Sequence, residues 1–417
     1  MITFSHPTGN QNVRHALLAL EDEGLVSQFV TSVAAFPGNV WHRLSQTSLA
    51  SEFSRRCFDT RVRNKTIQLP WRELGRMIAP RVGLRALTAH ESGPFCIDRV
   101  YRAQDRAVAD RLRSGKLSGV SAVYCYEDAA LETFRAAKEL DIRCIYDLPI
   151  GYWRSARRIQ TEEAQRLPEW AATMPAIKDS DEKVARKDQE LQLADTIIVA
   201  SSFTAKTLGD VPFTLPESTV IPYGCPQAED AGSGRGACEG RKLRVLFVGG
   251  LSQRKGLAYL FEAMETLGSS VELTIIGRKP NVECAPLEAG LRRYRWIESL
   301  PHDEILKEMR NHDVFVFPSL FEGFGLVITE ALSQGLPVIA TPNTCAPDIL
   351  TDGEDGFIVP IRNSDAIAEK LELLSRDRAR LVAMSDSAVA KGAAITWNAY
   401  RNRLVQAIHS GIAVDAA

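Results

Sequence analysis

The chain has 417 residues, more than one hydrophobic core usually serves, so two domains are expected. With 45% hydrophobic and 24% charged residues and a formal net charge of -2, it reads as a folded globular protein with no global pull toward nucleic acid. The eight cysteines are scattered, with no CxxC or CxxH pair, which argues against a metal cage.

In chain order, "MITFSHPTGN" is too short and polar for a signal peptide, and no run approaches 18 apolar residues, so a cytoplasmic location is expected. The strand "ITFS" precedes a helix, "RHALLALEDEG", that ends at Gly24, and "SQFVTS" is the next strand. Residues 55–85 then hold nine basic side chains against Asp59 and Glu73, interleaved with Trp71, Leu74, Met77 and Ile78. This reads either as a solvated basic face or as a patch for anionic lipid headgroups or an anionic acceptor, peripheral on the inner face of a membrane. "AVYCYE", "RCIYDLP" and "DTIIVAS" are further strands, and Cys125 and Cys144 lie in them as buried thiols do. "DSD" at 179–181 sits in a polar, helix-like run. It reads as a solvated charge cluster, because an Asp-x-Asp metal site should end an apolar strand. After the strand-like "TVIPYG", the segment "QAEDAGSGRGACEG" (227–240) reads as a linker between domains at 1–226 and 241–395. An amphipathic helix closes the chain at 396–417.

The second half alternates strands ("RVLFVGG", "ELTIIG", "YRWIESL", "DVFVFPS", "LPVIAT") with helices such as "GLAYLFEAMETLG". Continuous apolar strands between helices predict a parallel sheet covered on both faces, with ligands outside the carboxyl ends of the strands. Two stretches there carry chemistry. In "FVGGLSQRKG", Arg254 and Lys255 follow a glycine pair at a strand end, placed to neutralise a diphosphate. In "LFEGFGLVITEALSQG", Gly323 and Gly325 admit close approach of a ligand to a helix beginning near Leu326, whose free N–H groups suit a phosphate. Glu322 and Glu330 bracket that turn, and two carboxylates beside a phosphate site suit sugar and ribose hydroxyls. Neither Walker A nor GxGxxG is matched.

Taken together, "EGFGLVITE", "ALSQGLPVIAT", "VGGLSQRKG", "VIPYG", "LADTIIVASSFT" and "ILTDGEDGFIVP" resemble the family-4 glycosyltransferases of the GT-B fold, closely from about residue 188 to 400. The resemblance implies an α/β protein of two doubly wound, Rossmann-like domains facing each other across a cleft, the terminal helix returning to the first. It implies a retaining transferase taking a sugar from a UDP- or GDP-sugar to a glycan or lipid-linked acceptor, with no cofactor and no metal. Glu322 would contact the donor sugar, Glu330 the ribose, and Lys255 the diphosphate. The backbone around Gly323, Phe324, Gly325 and Leu326 would serve phosphates or sugar. The family usually has arginine where Gly250 stands, leaving Arg254 as the substitute. "SLPHDEI" resembles the stretch bordering the base, so His302 lies there or is a surface residue. Gly9 and Asn10 match the loop facing the transferred sugar or form a structural turn. A histidine often found at Tyr146 is missing, leaving Asp147 as the candidate to touch substrate. A nucleotide-sugar epimerase and a non-catalytic nucleotide-sugar-binding protein are the alternatives.

Overall fold

A computed structural model describes residues 1–45, 56–117, 119–227 and 240–414, the side chains of 411–414 apart. Nearly all of the sequence-read linker, with Cys238, and Arg55 of the basic segment lie outside the described residues.

Among the described residues there are two sheets, and every strand pairing in them is parallel. The first contains β1 (Ile2–Ser5), β2 (Val26–Thr31), β3 (Thr66–Gln68), β4 (Ala122–Tyr126), β5 (Arg143–Leu148), β6 (Thr196–Val199) and β7 (Ser218–Val220), ordered β3-β2-β1-β4-β5-β6-β7. The second contains β8 (Leu243–Val248), β9 (Val271–Ile276), β10 (Arg295–Ile297), β11 (Val314–Phe317), β12 (Val338–Ala340) and β13 (Gly356–Ile358), ordered β10-β9-β8-β11-β12-β13. Helices cover both faces, so the central strands are buried on both sides; β1, β4 and β11 have no exposed residue. The edge strands β3 and β13 are only three residues long, and the sequence pattern does not mark them. The run "YRWIESL" shrinks to three paired residues, Arg295–Ile297, because it too lies at an edge.

In each sheet the order reverses once, between β1 and β4 and between β8 and β11, and the loops there part to leave a crevice. That places 6–10, 249–255 and 318–325 at the carboxyl ends that face the other domain. The domains meet closely. Phe321 packs edge-on against Phe203 at 5.4 Å, and the Gly323 carbonyl accepts from Thr204 Oγ1 at 2.9 Å and from Ser201 Oγ. Glu163, fully buried, accepts from Gln253 Nε2 at 2.7 Å, Tyr259 OH at 2.8 Å and Arg362 Nε at 2.8 Å. These bonds tie the first-domain helix Trp153–Arg166 to the second domain. The last helix, Trp397–Val414, lies on the first domain: Trp397 stacks on His15 at 4.1 Å and Arg401 reaches Asp22 at 3.3 Å.

The seven described cysteines are all free, and burial pushes the Cys144 thiol up to about 12. No helix among the described residues is long and apolar enough to cross a membrane.

Candidate active site

The loop after β8 folds into a single tight turn, Gln253–Lys255, before the helix Leu257–Leu267. It carries Lys255 inward, where the ammonium binds Glu322 Oε2 and sits 4.7 Å from the Phe317 ring centre. Arg254 Nη1 donates to the Phe321 carbonyl at 2.6 Å and to Glu322 Oε2 at 3.2 Å. Both cations are mostly buried, and burial pulls Arg254 down to about 10. Lys255 is pulled well below its usual value by burial first and by the Arg254 charge second. Two adjacent, desolvated cations sharing one carboxylate form a strong anion site, since a diphosphate would relieve their repulsion and replace lost hydration.

Glu322 is the residue that links the two loops. The turn after it runs through Gly325 at φ +89°, a conformation L side chains rarely adopt, into the helix Leu326–Ser333. No side chain caps that helix, so its first amides remain donors. Glu330 lies within it, 7% exposed, and its Oε1 is 3.7 Å from His302 Nε2. Its carboxylate makes no hydrogen bond among the described residues, and burial raises its pKa to about 7. An acid held in this way lacks donors, and a vicinal diol supplies two. His302 itself is half exposed and stands at the start of the helix His302–Asn311.

Gly250 is exposed, with nothing within 4 Å of where a Cβ would stand, so an arginine there would meet no clash. Four other residues are placed by their packing. Gly323 presses on the first domain, where an added Cβ would lie 1.9 Å from the Pro149 carbonyl oxygen, and its own carbonyl is taken by Ser201 and Thr204. Phe324 is core: it packs on Tyr223 at 5.0 Å and its carbonyl accepts from Cys345 N. Asp147 does not face the cleft; it is 1% exposed and accepts from Tyr124 OH at 2.7 Å, and burial raises its pKa to about 7. Gly9 is buried, with its carbonyl bound by Arg14 at 2.6 Å, while Asn10 is exposed at the start of the helix Gln11–Asp22.

Of the 179–181 cluster, Asp181 is solvated and Asp179 is partly covered. Asp179 pairs with Lys183 at 3.1 Å and His90 at 3.2 Å, and Ser180 caps the helix Asp181–Leu193. His90, Glu91 and Asp179 bring their ligand atoms within 4.8 Å of one another, but the Lys183 ammonium already supplies Asp179 with its cation. The basic segment also narrows, because Arg56 and Arg76 are committed to Glu73, Arg61 to Asp22 and Asp59, and Lys65 to Glu21.

A cavity of about 610 Å³ opens beside the loop after β8, between the domains. Its lining includes Gly250, Ser252, Arg254 and Arg278 of the second domain and Gln160, Lys178, Lys183 and Lys187 of the first. Arg278, Lys178 and Gln160 were passed over in the sequence because no motif marks them.

Residues 235–390 match the family model described as glycosyl transferases group 1. A phosphatidyl-myo-inositol mannosyltransferase of Mycobacterium leprae is 33% identical over 154 residues, 35% of this chain and 41% of that protein. The chain spans 28% to 41% of the length of the first curated relatives it matches. Among solved structures, sucrose-phosphate synthase from Thermosynechococcus elongatus superposes with a TM-score of 0.67 at 18% identity, over 99% of both chains. The Anabaena protein HepE in complex with UDP gives 0.62 at 14% identity, over 98% of this chain and 99% of that one. These likenesses show the fold, which is GT-B.

Proposed function

We propose that this chain, whose second domain belongs to the group 1 glycosyltransferases, is a retaining transferase using a UDP- or GDP-sugar as donor and a glycan or lipid-linked acceptor. The observation that carries the proposal is the buried Glu330 carboxyl without a hydrogen-bond donor, on a helix whose start is uncapped and whose preceding loop carries Glu322, the partner of Lys255 and Arg254. The three groups match a ribose diol, a phosphate and a diphosphate. That HepE is described in complex with UDP supports a nucleotide donor.

In this reading the bond from the anomeric carbon to the diphosphate breaks while the acceptor hydroxyl attacks from the same face. The acceptor proton passes to the departing diphosphate oxygen. Negative charge grows on that oxygen, and Lys255, Arg254 and the helix amides stabilise it as fixed charges. These cations supply the charge neutralisation that a metal ion provides elsewhere, so we expect activity without added metal. Glu322, held by both cations while no donor is bound, turns to the sugar hydroxyls once the diphosphate replaces it.

A peripheral contact with an anionic membrane is the second part of the proposal. Trp71 (82% exposed) and Ile78 are seven residues apart on the helix Pro70–Ile78, and Val82 and Leu84 follow, all exposed. Arg72, Arg81 and Arg85 are interspersed with them. Exposed apolar side chains ringed by arginine fit a headgroup layer better than water.

The experiment is a thermal-shift panel of UDP, GDP, ADP and NAD, followed by turnover of the sugar nucleotide that corresponds to the binder. A ligand at about 100 times its Kd adds about 2.7 kcal/mol. Stabilisation by UDP or GDP with donor turnover supports the proposal. An epimerised donor would favour the isomerase alternative, binding without turnover the non-catalytic one, and stabilisation by NAD alone would overturn all three.

A further inference from the structure

The cavity between the domains is not lined by Glu330, His302 or Lys255, and it meets the diphosphate loop only through Gly250, Leu251, Ser252 and Arg254. At about 610 Å³ it is of the size that holds a sugar-sized ligand. Its walls are one-sided in charge. Lys178, Lys183, Lys187, Arg254, Arg278 and Lys279 all line it, whereas Asp179 is the single lining carboxylate among the described residues. Asp179 is already held by His90 and Lys183.

Most of the cations have acids behind them. Lys183 pairs with Asp98 at 3.0 Å, Lys187 with Glu127 at 2.9 Å and Lys279 with Glu288 at 2.6 Å. Two do not. Lys178 of the first domain donates to the Ala172 carbonyl at 2.8 Å, and neither it nor Arg278 of the second domain has a carboxylate partner among the described residues. Gln160 lines the same cavity, 1% exposed, and its Oε1 is occupied by the Ala176 amide at 3.1 Å. Its amide nitrogen has no partner among the described residues, so the side chain offers the cavity donors only. His90, Thr173 and Ser252 also line it, and most of the remainder is apolar, including Ile150, Ala156, Val184 and Phe321. A neutral polyol would call for acceptors as well as donors, whereas this lining suits an anion on an apolar-backed ring or chain.

We propose that this cavity is the acceptor site and takes an acceptor carrying a phosphate group, bound by Lys178, Arg278 and the Gln160 amide from opposite walls. The inference rests on the glycosyltransferase reading and narrows its acceptor class. The phosphate belongs either to a soluble phosphorylated sugar or to a lipid headgroup, and both present the same oxygens to these donors.

The test is calorimetric titration of the full chain, saturated with UDP or GDP, with inorganic phosphate. Glucose 6-phosphate and dihexanoyl phosphatidic acid follow, with glucose as the neutral control. We expect phosphate to bind the nucleotide-loaded protein and glucose not to. Lys178→Ala and Arg278→Ala should each weaken phosphate at least tenfold while nucleotide affinity stays within twofold. Tighter binding of glucose 6-phosphate or of the short-chain lipid supports the site and names the source. Phosphate that competes with the nucleotide, fails to bind, or binds the two variants as it binds the native chain would overturn this inference alone. Absence of any nucleotide binding would overturn the reading beneath it.

Discussion

Replacing Glu330 by glutamine separates what this carboxyl costs the fold from what it does for a ligand. Its ordinary pKa is 4.5 and burial lifts it to about 7 in the folded chain. The unfolded chain therefore releases the proton first, and stability falls as pH rises through the window from 4.5 to 7. A rise of that size corresponds to about 3 kcal/mol lost between pH 4 and pH 8. Glutamine carries no charge, so Glu330→Gln should unfold at a higher temperature than the native chain at pH 8 and at a similar one at pH 4.5. Nucleotide binding should change the opposite way. A ribose diol donates to the carboxylate and favours its charged form, so the bound pKa drops and binding expels a proton. Below pH 7 the affinity should fall, by about tenfold at pH 6 relative to pH 8, because one pKa unit is 1.36 kcal/mol. Hydrogen bonds to a charged acceptor are stronger than neutral ones by about 1 kcal/mol each, so glutamine should weaken the nucleotide about tenfold to a hundredfold at pH 8. It should also flatten the pH profile. The assay is calorimetry of UDP and GDP from pH 6 to pH 8, alongside thermal unfolding. An affinity independent of pH in the native chain, or an unchanged slope in Glu330→Gln, would refute the assignment of this carboxyl to the ribose.

Lys255→Ala should lower kcat by about 10²-fold or more, the scale on which removing one donor to a developing anion acts, and turnover equal to that of the native chain would contradict its role. Gly323→Ala places a methyl 1.9 Å from the Pro149 carbonyl oxygen, against backbone that cannot swing aside as a side chain can, so it should cost about 1–3 kcal/mol and lower the melting temperature. An unshifted Tm would show that the domains do not meet there in solution. Trp71→Ala combined with Arg72→Ala should abolish most sedimentation with phosphatidylserine vesicles and leave the melting temperature unchanged, given that Trp71 is 82% exposed. Equal binding of both forms would remove the membrane contact.

Much of this protein is local and therefore legible in its sequence. Continuous apolar runs such as "VFVF" and "AVYCY" dictate buried parallel strands, because such a run satisfies its backbone within a sheet and both its faces against helices. Gly325 before Leu326 announces an uncapped helix start, and the positions of Lys255, Glu322 and Glu330 follow from strand ends and turns alone. Edge strands β3 and β13 were not legible, since three residues are too few to show a periodicity that a loop lacks. The tertiary structure decided the pairings. Only folding brings Lys255 and Arg254 onto Glu322, 67 and 68 residues away, or buries Asp147 beneath Tyr124 instead of exposing it at the cleft. It also sets Gly323 and Phe324 against the first domain, so that a turn written for a ligand serves partly as a clasp between domains. The cavity donors Gln160, Lys178 and Arg278 belong to separate segments with no shared spacing. Their common purpose exists only where two sheets close on each other, because a binding site is made by proximity in space and sequence periodicity records proximity only along a single element.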